Sequence, residues 1–158
     1  MVTASYVTPQ IAGLHEKAID AGIVIFKEIG LDPGIDHLTA MKIIDEAKDS
    51  GFQIEGFTSW CGGLPAPENS DNPLGYKFSW SPRGVLLAAL NAARYRQNGK
   101  LIEIPGENLL QNAQAVPIYP GFNFEGLPNR DSLKYEKAYG LDGISTMFRG
   151  TLRYKVAR

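Results

Sequence analysis

Eight residues, Gly30-Leu31-Asp32-Pro33-Gly34-Ile35-Asp36-His37, constrain this chain more than any other stretch. They follow a short apolar run, Ile23-Val24-Ile25-Phe26, and precede a segment whose apolar residues Leu38, Met41, Ile44 and Ala47 recur at helical spacing. A strand, a Gly/Pro turn and then a helix is the geometry that aims backbone N–H groups at a ligand. Two glycines, a proline, two carboxylates and an imidazole are more chemistry than a connecting loop needs.

The chain has 158 residues, enough for a domain with a real core. With 44% hydrophobic and 21% charged residues it falls among soluble globular proteins. A formal net charge of −1 leaves no electrostatic footprint for nucleic acid or for an anionic membrane surface. No apolar run approaches the ~20 residues of a membrane span, and Met1-Val2-Thr3-Ala4-Ser5-Tyr6 lacks the basic and apolar regions of a signal peptide. Cys61 is the single cysteine, so no internal disulfide can form, and a reducing, cytoplasmic compartment is expected. With one cysteine and only His15 and His37, no metal site is expected.

Along the chain, Val2–Val7 reads as a strand. Pro9 to Asp20 reads as a helix with Ile11, Leu14, His15, Ala18 and Ile19 on one face, ended by Gly22. Strand, helix, strand is half of a doubly wound sheet, with an unpaired edge and an uncovered apolar face, so the sequence reads as beginning inside a larger domain. A helix is expected from Ile35 to Asp49, then a strand alternating over Gln53–Trp60, then a Gly, Pro and Asn-rich loop over Cys61–Gly75. Ser81-Pro82 is an N-cap with proline at the first helical position, and the helix is expected to run through Val85, Leu86, Ala89, Leu90 and Ala93. Asn98-Gly99 turns into a strand over Lys100–Ile104, closed by Pro105-Gly106. Further strands are expected at Ala115–Tyr119 and Thr146–Tyr154, with Pro120–Asp131 irregular. The fold class is α/β (α+β), the end of a Rossmann-type domain followed by a mixed-sheet α+β domain.

Several residues could carry chemistry. Proline disfavours the α region at Asp32, so that carboxylate belongs to the turn. Asp36 is placed to cap the following helix, and His37 either meets a ligand or is satisfied locally. Cys61-Gly62-Gly63-Leu64-Pro65-Ala66-Pro67 follows directly on a strand, where glycines admit close backbone approach. Its thiol is either an inert packed group or the lining of a cleft, and no adjacent base activates it. Lys77, Trp80 and Arg83 frame the Ser81-Pro82 helix start, where Trp80 either stacks on a flat ring or fills the core. Arg130, Arg149 and Arg153 offer forks matched to carboxylate or phosphate, unless they are ordinary surface cations. The sequence holds no catalytic triad, P-loop or G-x-G-x-x-G.

Longer motifs carry a resemblance. They are Val2-Thr3-Ala4-Ser5-Tyr6, Glu28 through His37, Cys61 through Pro67, Asn72 through Ser81, Tyr119-Pro120-Gly121-Phe122, Pro128-Asn129-Arg130-Asp131-Ser132 and Arg149-Gly150-Thr151-Leu152-Arg153-Tyr154. Together they span essentially the whole chain and resemble the saccharopine reductases, the NADP-dependent, L-glutamate-forming saccharopine dehydrogenases of fungal lysine biosynthesis. The resemblance implies that 1–34 is the C-terminal part of a dinucleotide-binding domain, and 35–158 an incomplete substrate-binding, catalytic α+β domain. It implies an NADPH-dependent reduction of the imine between aminoadipate semialdehyde and glutamate, in a cytoplasmic homodimer.

It also implies site residues. Ser5 and Tyr6 resemble a pair that contacts saccharopine. Leu31, Asp32 and Pro33 resemble a turn beside the nicotinamide, with Asp32 also near the substrate amine. Cys61 resembles the family's active-site thiol, and Trp80 or Ser81 a further cofactor contact. Arg130 resembles a carboxylate clamp, and Thr151-Leu152-Arg153 the segment that holds another carboxylate. The catalytic set is then Asp32, Cys61 and Tyr6, with Asp32 and Tyr6 or a water managing the proton. Two other readings stay open: an imine reductase of polyamine synthesis, whose substrates carry fewer carboxylates, and a non-catalytic module that dimerises through an open sheet.

Overall fold

A computed structural model of the chain describes residues 1–155; residues 156–158, which close the 35–158 region, lie outside the described residues. The chain divides into two compact units, Met1–Glu46 and Ala47–Arg158.

In the first unit, the opening residues run parallel to residues 24–29. Phe26 N donates to Met1 O (2.8 Å), Thr3 N to Phe26 O (2.9 Å), Ile29 N to Thr3 O (3.1 Å) and Glu28 N to Ser5 O (3.2 Å). The regular pairing is one bridge, Val2 to Phe26, shorter than the two strands the sequence led us to expect. A ladder with one partner on each side is marginal on its own. The expected helix over Pro9–Asp20 is broken into α1 (Pro9–Ala12) and α2 (His15–Asp20). Gly13 lies at the break, and glycine inside a helix costs about 1 kcal/mol relative to alanine.

The Gly30–His37 turn is closed by Gly30 N to Pro33 O (2.9 Å) and Ile35 N to Gly30 O (2.8 Å), and the Asp32–Pro33 peptide is cis. Gly34 has φ +147°, and a Cβ there would lie 2.2 Å from Gly30 O, so only glycine closes this turn. It leads into α3 (Ile35–Asp49), with the expected limits. Asp36 lies inside the first turn rather than before it, and its Oδ1 accepts from Gly34 N at 2.8 Å.

The second unit is built on one mixed sheet. Its strands are β1 (Gly56–Cys61), β2 (Ala93–Gln97), β3 (Lys100–Ile104), β4 (Gln114–Ala115), β5 (Phe124–Pro128) and β6 (Thr146–Tyr154). The order is β3-β2-β6-β5-β4, and β1 pairs β6 in parallel. Gly150 and Thr151 pair with both β1 and β5, and Met147 with both β1 and β2. Hence β1 holds one edge of β6, while β2 and β5 share the other in succession. The short helices α4 (Pro82–Ala88) and α5 (Tyr135–Ala138) lie between strands.

Three expectations here are corrected. The helix from Ser81 stops at Ala88, because Ala93 and Tyr95 are needed as alternate buried positions of β2. The stretch 120–131, read as irregular, contains β5, buried along its whole length. Gly126, within that stretch, is a slot for the Trp60 ring, since a Cβ there would lie 2.1 Å from it. The strand expected over Ala115–Tyr119 shrinks to Gln114–Ala115, with Pro117 following. The core joins Tyr95, Ile104, Leu127 and Phe148, with Trp60 packed against them. Phe148 meets Tyr95 edge-on at 4.9 Å and Trp60 at 4.8 Å.

Candidate active-site residues

Within the first unit, the Tyr6 hydroxyl donates to Asp32 Oδ1 at 3.0 Å. The parallel pairing of residues 1–5 with 24–29 and the tight bend at 30–34 bring these two together from 26 positions apart. A phenol on a carboxylate can pass a proton to a third group held beside either oxygen. Ser5, on the same segment, uses its carbonyl on Glu28 N. Leu31 is exposed, Asp32 is half-buried and Pro33 is buried. Asp36 and His37 form a neighbouring pair, with Nε2 3.6 Å from Oδ2, so the imidazole has a local partner.

Within the second unit, the register of β1 on β6 places Cys61 opposite Thr151. Thr151 is exposed, and Cys61 is half-buried with its thiol in no disulfide. Thr151-Leu152-Arg153 therefore begins beside the thiol. Gly62 is required by this chain's own backbone, because a Cβ there would lie 2.0 Å from Leu152 O. Gly63 has only Ser79 Oγ nearby, at 4.0 Å, and opens onto a cleft of about 310 Å³ lined by Leu64, Pro65, Ala66, Lys77 and Ser79. The Tyr154 hydroxyl donates to Pro65 O (3.0 Å) and ties this loop to the end of β6.

The three arginines differ in environment. Arg130 is exposed at φ +50°, and its side chain makes no hydrogen bond or ion pair among the described residues. Arg153 sits opposite Glu125 in the β5–β6 register and bonds to it. From Glu125 to Pro128 is about 10 Å at the strand rise, and Arg130 lies two residues further on. The two guanidiniums thus belong to opposite ends of β5. Arg149, weighed as an isolated cation, is 6% exposed and stacks on the Tyr135 ring at 4.2 Å.

Trp80 is 57% exposed and is not a core residue. It folds back over α4, where a Cβ on Gly84 would lie 2.4 Å from its ring. Ser81 Oγ accepts from Gly84 N (3.1 Å), so its hydroxyl serves the helix cap. Sequence reasoning missed Glu125, because the surrounding breakers hid β5 and a lone Glu between Phe124 and Gly126 carries no signal. Among the described residues no group of three or more His, Cys, Asp or Glu could hold a metal ion, and no helix is long and apolar enough to cross a membrane.

The mixed α+β architecture is shared with known proteins. The model of the saccharopine dehydrogenase C-terminal domain matches residues 30–157. Saccharopine dehydrogenase [NADP(+), L-glutamate-forming] of Schizosaccharomyces pombe is 56% identical over 153 residues, covering 97% of this chain and 34% of the relative. The mitochondrial alpha-aminoadipic semialdehyde synthase of Rattus norvegicus is 54% identical, covering 98% of this chain and 17% of that protein. The apo structure of saccharopine dehydrogenase (L-Glu forming) from Saccharomyces cerevisiae superposes with a TM-score of 0.87 at 52% identity, covering 98% of this chain and 35% of that one. This chain belongs to the saccharopine dehydrogenase C-terminal domain family. It spans about a third of the length of the fungal relatives it matches.

Proposed function

We propose that this chain supplies the substrate side of an NADP-dependent, L-glutamate-forming saccharopine dehydrogenase, which reduces the imine of aminoadipate semialdehyde and glutamate to saccharopine in lysine biosynthesis. The observation that carries this reading is 56% identity to a fungal relative of that name along 97% of the chain. In this reading 1–34 closes a dinucleotide-binding domain, 35–158 is the substrate domain, and the enzyme is a cytoplasmic homodimer.

Saccharopine is an extended secondary amine with three carboxylates. Two guanidiniums at opposite ends of β5 suit such a molecule better than a single cluster would. Arg130, exposed and unpaired among the described residues, takes one carboxylate, and the Thr151-Leu152-Arg153 segment takes another. Ser5 and Tyr6 are substrate contacts in this reading. Asp32 and Tyr6 hold the proton that the imine nitrogen gains, through the hydrogen bond already between them. Cys61, beside Thr151, borders the reacting centre.

NADPH supplies the hydride when bound. The residues present suit its nicotinamide end: Leu31 is an exposed apolar surface beside the half-buried Asp32 and buried Pro33, and Trp80 offers an exposed ring with Ser81 beside it. They include no glycine-rich cradle for its phosphates.

The test is a chimaera in which this chain replaces the matching 153 residues of the S. pombe relative. We expect NADP-dependent saccharopine oxidation within about tenfold of the unsubstituted enzyme. In the chimaera, Arg130→Ala raises KM for saccharopine about 10- to 100-fold and leaves KM for NADP nearly unchanged. A folded chimaera that oxidises no saccharopine overturns the reading, and equal effects of Arg130→Ala on both KM values remove Arg130 from the substrate.

A further inference from the structure

Glu125 is a carboxylate with a side chain 4% exposed, in the middle of the sheet, and its cross-strand partner is Arg153. Its Oε1 accepts from Arg153 Nε at 2.8 Å and lies 2.6 Å from Nη2 in an ion pair. A buried carboxylate is costly unless paired, and a buried ion pair adds little net stability over apolar side chains of the same size. The stability of the sheet therefore gives no reason for a charge at 125. The orientation of the guanidinium does. Arginine has five donors in a planar fork. With Nε bonded to Glu125 and Nη2 turned toward it, the Nη1 edge remains, and Nη1 has no hydrogen-bond partner among the described residues. The Arg153 side chain is 31% exposed, so the group runs from the buried carboxylate outward.

We propose that Glu125 is a positioning residue that fixes the Arg153 guanidinium, so that its outer edge is preset for a carboxylate of the substrate. This deepens the substrate reading above and rests on it for the identity of the carboxylate. Two side chains on paired strands need no induced movement, so the ordering entropy of a long side chain is already spent before the ligand arrives. Glu125 touches no substrate itself.

Two measurements separate this proposal from the reading it rests on. The first is side-chain 15N–1H NMR of the 158-residue chain, titrated with glutarate as the probe. In the wild type, the Arg153 Nε–H exchanges slowly and the Arg153 side-chain resonances shift with glutarate. In Glu125→Leu, which keeps the volume and removes the charge, the slow exchange and the shift are both lost. The second is kinetics of the chimaera. There Glu125→Leu raises KM for saccharopine about tenfold, with kcat and KM for NADP within about twofold. Glu125→Gln, which keeps an acceptor oxygen and guards against a folding defect, gives a smaller rise. In an Arg153→Lys background, Glu125→Leu adds nothing further. No glutarate response in the wild type, an unshifted KM in Glu125→Leu, or additive effects in the double variant would overturn the role. An inactive chimaera with an intact glutarate response would sink the saccharopine reading and leave Glu125 as the orienter of a carboxylate site.

Discussion

Gly126 and Gly150 make room for one indole. A Cβ at either position would lie 2.1–2.2 Å from the Trp60 ring, which packs across β5 and β6. Overpacking of this kind costs about 1–3 kcal/mol. Gly126→Ala should therefore lower the urea midpoint, and a Gly126→Ala/Trp60→Leu pair should recover part of the loss. Tyr95, in the same core, has its pKa raised above the ordinary 10.0 by burial of the phenol. Below pH 10 both folded and unfolded chains carry the neutral phenol, and stability does not depend on it. Above pH 10 the unfolded chain loses the proton first and holds fewer protons than the folded one, so stability falls until the folded value is passed. Tyr95→Phe should leave thermal stability at pH 7 nearly unchanged and flatten its decline above pH 10. The Tyr6–Asp32 hydrogen bond makes a kinetic prediction. Tyr6→Phe in the chimaera should lower kcat about 100-fold with KM for NADP little changed, and a variant of wild-type kcat would remove Tyr6 from proton handling.

Among the elements, β6 dominates the second unit, because its two edges serve three other strands. Met147, at the crossing of β1, β6 and β2, is 0% exposed. Met147→Ala should destabilise by about 2–5 kcal/mol in chemical denaturation, the range for a deleted large core side chain; a loss under 1 kcal/mol would contradict a central role for this crossing. Elements with local signals were legible in the sequence. Helix α3 had both period and turn, β6 was expected with the limits it has, and Ser81-Pro82 set the start of α4. The Asn98-Gly99 turn is a two-residue hairpin loop with both residues at positive φ, +50° and +78°, as that dipeptide favours. What was not legible depended on distant partners. β5 looked broken because Gly126 answers to Trp60, 66 positions away in the chain, and the first residue of β2 looked helical because Ala93 suits either state until β2 pairs with its neighbours. The same holds for the candidate site. The bend at 32, the thiol at 61 and the guanidiniums were visible as residue types, and Glu125 acquired meaning only from the β5–β6 register.

At the scale of the molecule, the chain is two units, with Tyr6 and Asp32 in Met1–Glu46 and Cys61, Arg130 and Arg153 in Ala47–Arg158. With no glycine-rich phosphate turn in its sequence, the 158-residue chain alone should oxidise no NADPH in the presence of the semialdehyde and glutamate. The many exposed apolar side chains of the first unit, among them Val24, Phe26, Ile35 and Leu38, predict self-association of the isolated chain, read by light scattering across a concentration series. The central claim is that a single extended tricarboxylate meets the two ends of β5. A crystal of the chimaera soaked with saccharopine tests it most directly. We expect one carboxylate at Arg130 and another at the Nη1 edge of Arg153; saccharopine ordered away from both guanidiniums would contradict the account.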